Sequence, residues 1–241
     1  MKKLLPLLLA LSLGLTACGQ TAQTTPVPAN TPTPVVETAS PVSVETQPME
    51  STALAEDIAG SDTLVVYFSR VGNTDFPSDV DAVSSATLSR KDGELKGNAQ
   101  LMAEWMADEA GADLFEIQTV DKYPIDYRET TDVAKVEQNA KARPELASHI
   151  EGFENYSTVY LVFPNWWADL PMALYTFFDE YDFSNKTLHV SITHEGSGFS
   201  RTVGTIEGLE PDATVIQGLS IRGGSVPESE RTVREFVRNN H

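Results

Sequence analysis

Five short runs of apolar residues recur along the chain from residue 61 onward, and segments with helical spacing separate them. Apolar runs of this length suit strands that are buried on both faces. Strands that alternate with helices predict a parallel sheet with helices on both sides, which is a three-layer α/β/α sandwich. The predicted strands are 64–69, 114–119, 159–163, 188–192 and 213–216, the last continuing toward residue 221.

The spacing of apolar side chains also predicts a helix between the first two strands. Leu101, Met102, Trp105 and Met106 lie about one helical turn apart, and Gly111 follows as a stop signal. This segment therefore has one apolar face, as an amphipathic helix that packs on a sheet does.

Polar residues predict where the later helices begin. Asp169 precedes Pro171 and an apolar segment, so we expect Asp169 to cap a helix that has Pro171 in its first turn. The Ser-Val-Pro-Glu sequence at 225–228 has capping-box spacing, and the last helix is predicted to begin there. A short helix is expected around 132–142, within a long polar connection. A further segment, 75–96, is inserted between the first loop and the first helix.

The N-terminus has the pattern of an export signal. Lys2 and Lys3 precede an apolar run over 4–15, and small residues lead up to Cys18. The run is too short to span a bilayer comfortably, so it fits a cleaved signal better than a membrane helix. These residues resemble bacterial lipoprotein signals, which implies cleavage before Cys18 and acylation of that cysteine.

Residues 19 to about 60 are rich in Thr, Pro, Val, Ala and Ser, without apolar periodicity. Such a segment favours extended conformations and cannot bury enough surface to fold. The predicted organisation is a signal peptide at 1–17, a lipidated Cys18 with a disordered tether over 18–60, and one folded domain at 61–241. The domain would then be lipid-anchored to the cell membrane on its extracytoplasmic face.

Charge and cysteine content narrow the possible functions. The chain has 17 basic and 35 acidic residues, a net charge of −18. The negative electrostatic potential of such a chain repels nucleic acid and anionic headgroups, so the lipid would be the main membrane contact. Cys18 is the only cysteine, which excludes an intramolecular disulfide. The four histidines lack metal-ligand spacing, so no metal site is predicted.

The loop after the first predicted strand is suited to phosphate. It offers hydroxyls, an amide and backbone N–H groups that an anion can approach closely. A second Gly-Asn pair stands where the first helix starts, so the phosphate could meet either pair; a plain turn is the alternative. The residues concerned are Ser69, Arg70, Gly72, Asn73 and Thr74 in the loop, and Gly97 and Asn98 at the helix start.

Two later loops suit a planar aromatic ligand. Two adjacent indoles cannot point into the same core, so at least one should lie at the surface or over a ligand, unless both pack against helices. Glycines in the next loop let the backbone approach such a ligand, and a histidine there could relay a proton or serve structure. The loops are Pro164, Asn165, Trp166 and Trp167 after the third strand, and Thr193, His194, Glu195, Gly196, Ser197 and Gly198 after the fourth.

Taken in order, the segments 67–74, 164–167 and 193–198 resemble a flavodoxin-like domain of the kind found in bacterial lipoproteins. The resemblance covers essentially all of 61–241. It implies a five-stranded parallel sheet in the order 2-1-3-4-5, with non-covalent FMN at the point where the strand order reverses. It further implies that the first loop holds the phosphate, that Trp166 or Trp167 flanks the flavin ring, and that the third loop closes on the ring's pyrimidine side.

Two departures from that family pattern, and one further motif, affect the expected site. The insertion at 75–96 separates the first loop from its helix. Glu195 stands where glycine is common, and a carboxylate there should lower the flavin's reduction potential. Residues 81–87 resemble a motif at which exported proteins receive FMN covalently on a threonine, which here would be Thr87; a polar loop over the FMN edge is the alternative.

The expected function is electron transfer by FMN between membrane or soluble partners. The redox partner is expected to be either a protein or a small-molecule acceptor. One alternative is an FMN-dependent oxidoreductase that uses NADH or NADPH to reduce quinone-type acceptors. Another is a cofactor-free lipoprotein of the same fold that acts as an interaction module. Turnover with a nicotinamide donor, and flavin uptake by the purified protein, separate the three.

Overall fold

A computed structural model describes residues 61–80 and 87–241 of the chain. Residues 1–60 lie outside the described part, and with them the predicted signal peptide, Cys18 and the tether. None of the described helices is long and apolar enough to cross a membrane.

The described chain alternates strands and helices. The strands are β1 (Thr63–Phe68), β2 (Leu88–Lys91), β3 (Glu94–Gly97), β4 (Asp113–Ile117), β5 (Thr158–Pro164), β6 (Thr187–His194) and β7 (Thr214–Arg222). The helices are α1 (Asn98–Ala110), α2 (Tyr127–Ala140), α3 (Met172–Glu180), α4 (Thr202–Leu209) and α5 (Glu230–Asn240). Short 3₁₀ turns span Phe153–Asn155 and Gly223–Glu228.

The five long strands form one parallel sheet in the order β4-β1-β5-β6-β7. Counted among the five predicted strands, this is the predicted order 2-1-3-4-5, so the fold prediction is confirmed. Side chains of β1 alternate between two apolar layers, as a strand buried on both faces requires. Val65 and Tyr67 pack with α1 and α5, whereas Val66 and Phe68 pack on the side of α3.

Helix α1 ends as the sequence predicts, at Gly111 in the left-handed conformation with φ of 61°. The inserted segment forms a hairpin in its second half, because β2 and β3 pair antiparallel through a turn at Asp92 and Gly93. The helix expected around 132–142 is longer and starts earlier, at Tyr127, where the Asp126 side chain caps it by accepting from the Glu129 N–H.

Two predicted helix starts are wrong. Helix α3 begins after Pro171, because the Asp169 carboxylate is turned away to accept a hydrogen bond from the Tyr175 hydroxyl at 3.0 Å and to pair with Arg201. Residues 225–228 belong to a 3₁₀ turn that buries Val226 against α1, and α5 starts only after Ser229.

Candidate functional site

A cavity of about 370 Å³ lies beyond the carboxyl ends of β1, β5 and β6. The second and third loops meet there, since the Asn165 N–H donates to the Thr193 carbonyl at 2.8 Å. The residues that line the cavity are Arg70, Thr87, Tyr127, Thr130, Thr131, Ala134, Pro164, Asn165, Trp166, Trp167, Ala168, Thr193, His194, Glu195 and Ser197.

Arg70 is a buried cation in the cavity wall, and its side chain is among the largest that are fully buried. Its Nη2 group donates to the carbonyls of Pro124 and Ile125 at 2.9 and 3.0 Å. The Nε group has no hydrogen-bond partner, and within the described chain no carboxylate forms an ion pair with this guanidinium. Burial lowers the pKa of Arg70 from its ordinary value, yet arginine stays charged. The cavity wall therefore holds a positive charge whose Nε–H group is buried without a partner.

Two threonine hydroxyls near this cation also lack a partner. Thr74 Oγ1 and Thr87 Oγ1 are both buried without a hydrogen bond, and Thr87 lines the cavity. The Thr87 carbonyl accepts from the Asn98 N–H at 2.9 Å, which places Thr87 beside the first turn of α1. Since buried polar atoms are nearly always satisfied, the unpartnered groups of the two lining residues, Arg70 and Thr87, indicate a polar ligand in the cavity.

The other residues of the first loop lie outside the cavity lining, and Asn73 among them holds the loop in place through hydrogen bonds. Asn73 is fully buried, and its amide donates to the carbonyls of Ser69 and Ile117 at 2.8 and 3.0 Å. Its Oδ1 accepts from the Thr119 N–H and hydroxyl at 2.7 and 3.0 Å. With both donors and both acceptor positions used, the Asn73 amide has nothing left to offer a ligand.

Glycines in and after this loop permit close approach. A Cβ on Gly72 would lie 2.0 Å from the Glu116 Oε1, and one on Gly97 would lie 1.8 Å from the Ser69 Oγ. Asn98 is buried, and its Oδ1 accepts from the Ser89 hydroxyl at 2.5 Å. These positions are shaped by packing, and the structure does not bring them into the cavity.

The two indoles diverge, as the sequence predicts, although both line the cavity. Trp166 packs edge-on against Phe68 and Tyr123, with ring centroids at 5.4 and 5.2 Å. Trp167 is 48% exposed, its indole N–H donates to the Thr131 carbonyl at 2.9 Å, and Lys135 Nζ lies 5.0 Å from its ring.

The turn that carries these indoles is strained. Trp167 and Ala168 have φ of 55° and 63°, a region that costs an L-residue about 1–2 kcal/mol. Paired backbone bonds between Trp166 and Asp169, both 3.0 Å, close the turn and hold it. Such strain persists only where the surroundings fix it, and it often marks functional loops.

The third loop is shaped by hydrogen bonds and by glycine. Gly196 has φ of 122° and its N–H donates to His194 Nδ1 at 2.8 Å. This bond requires a lone pair on Nδ1, so the ring proton lies on Nε2. Gly198 has φ of 57° and its carbonyl accepts from the Asn165 amide at 2.8 Å. Glu195 lines the cavity and lies 3.7 Å from Arg222, in a partly exposed ion pair.

Helix α2 forms one wall of the cavity that sequence reasoning missed. Tyr127, Thr130, Thr131 and Ala134 all line it. They are spaced i, i+3, i+4 and i+7, so they share one helix face. That spacing was available in the sequence, but small polar residues give a weak amphipathic signal.

Thr87 is the one residue of the 81–87 segment in the described chain, and residues 81–86 lie outside it. Within 61–80 and 87–241, no group of three or more His, Cys, Asp or Glu side chains is placed to hold a metal ion.

Comparison with known proteins supports one family. A family profile described as Flavodoxin matches residues 93–240. No curated protein matches the sequence.

Solved structures match over most of the folded part. A candidate flavoprotein from Bacteroides uniformis is 24% identical with a TM-score of 0.55, covering 74% of this chain and 99% of that one. Another from Bacteroides eggerthii is 22% identical with a TM-score of 0.51, covering 71% and 96%. A flavoprotein in complex with FMN from Lactobacillus acidophilus is 19% identical with a TM-score of 0.49, covering 69% and 96%. The two Bacteroides structures show that this chain shares their fold.

Proposed function

Because the chain belongs to the flavodoxin family, we propose that it binds FMN in the cavity at the ends of β1, β5 and β6 and transfers electrons through it. In open parallel sheets of this order, ligands bind where the strand order reverses, and FMN does so in flavodoxin. Here β1 and β5 flank that point, and the cavity lies there. The flavin supplies the redox chemistry when bound, and the protein supplies orientation and electrostatics.

The observation that carries this proposal is a pair of buried polar atoms without hydrogen-bond partners, on two residues that line the cavity. Arg70 and Thr87 both line the cavity, and Arg70 Nε and Thr87 Oγ1 are buried without a hydrogen-bond partner. A phosphate dianion would satisfy the guanidinium charge and accept both hydrogen bonds, which are stronger for ionised partners. Arg70 and Thr87 thereby replace Asn73 as the side chains that would hold the FMN phosphate.

Other residues of the cavity lining suit the flavin ring. Trp166 and Trp167 present aromatic surface, and the third loop presents backbone groups freed by Gly196 and Gly198. The His194 Nε2–H is a donor for a ring acceptor. Glu195 places a carboxylate at the cavity edge, where it disfavours added negative charge on a bound flavin.

A comparison of FMN with riboflavin tests the phosphate end directly, because riboflavin lacks only the phosphate. In fluorescence titrations of the full chain, FMN should bind more tightly than riboflavin. Thr87→Val removes the hydroxyl at nearly constant volume, and it should weaken FMN about tenfold while leaving riboflavin affinity unchanged, since a charge-assisted hydrogen bond contributes about 1.5–3 kcal/mol. Equal affinity of the wild-type protein for both ligands would overturn the assignment.

Two forms of the redox function differ in their substrates. An electron carrier exchanges electrons with a partner protein, whereas an oxidoreductase turns over NADH or NADPH with a quinone-type acceptor. Steady-state turnover of the FMN-loaded chain with either nucleotide separates them. A chain that takes up no flavin would instead be an interaction module on the same fold.

We also propose that Cys18 is lipidated and anchors the domain on the extracytoplasmic face of the cell membrane. The support is the sequence alone: the basic start, the apolar run of 4–15 and the single cysteine after small residues. In a bacterial host, metabolic labelling with palmitate should mark the wild-type chain and not Cys18→Ala. Equal labelling, or labelling of neither, would reject the anchor.

A further inference from the structure

A second cavity of about 350 Å³ lies between the end of α2, the start of α3 and the start of α4. We call it the basic cleft, since three of its lining residues are Lys141, Arg143 and Arg201. Asp169 is the one carboxylate among the lining residues. Three cations in one cleft stand out on a chain whose net charge is −18.

The cations of the basic cleft are unequally neutralised. Arg201 pairs with Asp169 at 2.5 Å, and Arg143 forms a short ion pair with Asp179. Lys141 takes part in none of the ion pairs found in the described chain. The charged lining residues sum to +2, and Asp179, which pairs with Arg143 from outside the lining, reduces the local net charge to +1. Lys141 supplies that uncompensated charge.

Backbone geometry at Lys141 adds a second observation. Lys141 ends α2 in the left-handed region with φ of 50°. Glycine or asparagine usually occupies this position, and an L-residue with a long side chain there costs about 1–2 kcal/mol. Lys141 therefore adopts an unfavourable backbone conformation at a position where its side chain lines the cleft.

The Asp169 carboxylate does not compete for an incoming anion. Its oxygens already accept from Tyr175, at 3.0 Å, and from Arg201. Its side chain is 5% exposed, so it forms the floor of the cleft. The Lys141 ammonium and the remaining N–H groups of Arg201, whose side chain is 63% exposed, stay open to solvent.

We propose that the basic cleft is a binding site for the phosphate group of a small molecule, separate from the FMN cavity. A phosphate monoester carries a charge close to −2 at pH 7, opposite in sign to the uncompensated charge of Lys141. Lysine and arginine together supply a point charge and a planar set of donors, the combination that phosphate sites use.

The basic cleft adjoins the turn that carries the two indoles. Asp169 is joined to Trp166 by two backbone hydrogen bonds of 3.0 Å, and Gln138 reaches the Trp167 carbonyl at 3.4 Å. A phosphorylated molecule held in the cleft would thus lie on the far side of the turn that borders the FMN cavity. The site itself does not depend on FMN binding.

An NMR titration of the full chain with inorganic phosphate, at fixed ionic strength against chloride, tests the site. Backbone N–H signals of 138–143 and 201–205 should shift saturably, with a Kd on the order of 1 mM. Lys141→Gln should weaken this response about fivefold or more, because it removes the unpaired charge. Arg231→Gln is the matched control, since Arg231 is 86% exposed on α5 with only a 3.7 Å contact to Glu235, and it should behave as wild type.

Thr87→Val separates the two sites. It should leave the phosphate response of the basic cleft unchanged, and Lys141→Gln should leave FMN affinity unchanged. A response that is lost in Thr87→Val and kept in Lys141→Gln would overturn the basic cleft while supporting the FMN cavity. Absence of any saturable shift in 138–143 and 201–205 would also overturn it.

Discussion

Asn73→Ala should destabilise the protein without changing its ligand contacts. Asn73 is completely buried, and its amide joins the loop after β1 to the end of β4. The sequence alone suggests a phosphate contact, whereas the structure assigns its hydrogen bonds to protein groups. Replacing the amide with a methyl group therefore separates the two interpretations.

The magnitude follows from the partners that lose a bond. Three are backbone groups: the carbonyls of Ser69 and Ile117, at 2.8 and 3.0 Å, and the Thr119 N–H, at 2.7 Å. The Thr119 hydroxyl has a second acceptor in the Asp121 carbonyl at 2.7 Å, so its loss counts for little. At about 1 kcal/mol for each backbone bond, the variant should lose about 3 kcal/mol of unfolding free energy. For a domain of this size that corresponds to a fall in Tm of about 6–12 °C.

Urea unfolding followed by circular dichroism measures this loss. Asn240→Ala is the control, because its amide makes one exposed bond to the Phe236 carbonyl at 2.8 Å, and it should lose less than about 0.5 kcal/mol. An Asn73→Ala variant that keeps its stability within about 1 kcal/mol and binds FMN about tenfold more weakly would refute the reasoning.

Four further outcomes follow from the geometry. Trp167→Ala should weaken FMN binding about fivefold, equivalent to about 1 kcal/mol, at little cost in stability because the ring is 48% exposed; an unchanged Kd would contradict the ring contact. Glu195→Gln should raise the two-electron FMN midpoint potential by about 10–20 mV, since a partly exposed charge contributes about 0.5–1 kcal/mol; a lower potential in spectroelectrochemistry would count against it. Burial lowers the pKa of His189, so folding stability is lost as pH falls below about 6.5. His189→Phe should lose less than wild type in urea unfolding between pH 7 and 5, and equal losses would reject this cause. Burial and nearby carboxylates raise the pKa of Glu210 from 4.5 to about 7, so folding stability is lost as pH rises between these two values. Glu210→Gln should raise Tm at pH 8 and leave it nearly unchanged at pH 4, and a lower Tm at pH 8 would refute the assignment.

Much of the fold follows from local patterns. The apolar runs and the intervening helices predict the parallel sheet, because its central strands β1, β5 and β6 are buried on both faces and contain few polar residues. The strand order is implied by the resemblance to flavodoxin-like domains and does not follow from the apolar pattern. The left-handed stop at Gly111 follows equally from local chemistry. The divergence of Trp166 and Trp167 follows from chain geometry.

The features that the sequence did not reveal depend on partners distant along the chain. Asn73 finds Thr119, 46 residues away, and Asp169 turns from its expected cap to Arg201. The cavity wall made by α2 depends on how that helix packs over the loops. Small residues such as Thr130 and Ala134 give no sequence pattern that predicts this packing. Hydrogen bonds and ion pairs between side chains of different loops are determined by the tertiary structure, and local propensity does not predict them.

Flavin uptake by the purified full chain tests the central claim most directly. The chain is mixed with excess FMN, desalted, and examined by visible absorption, then precipitated with acid. If FMN binds non-covalently, the desalted protein should be yellow with about one FMN per chain, and acid should release the flavin into the supernatant. Flavin that stays with the pellet would indicate covalent attachment, for which Thr87 is the candidate. A colourless protein after desalting would show that the chain does not bind FMN.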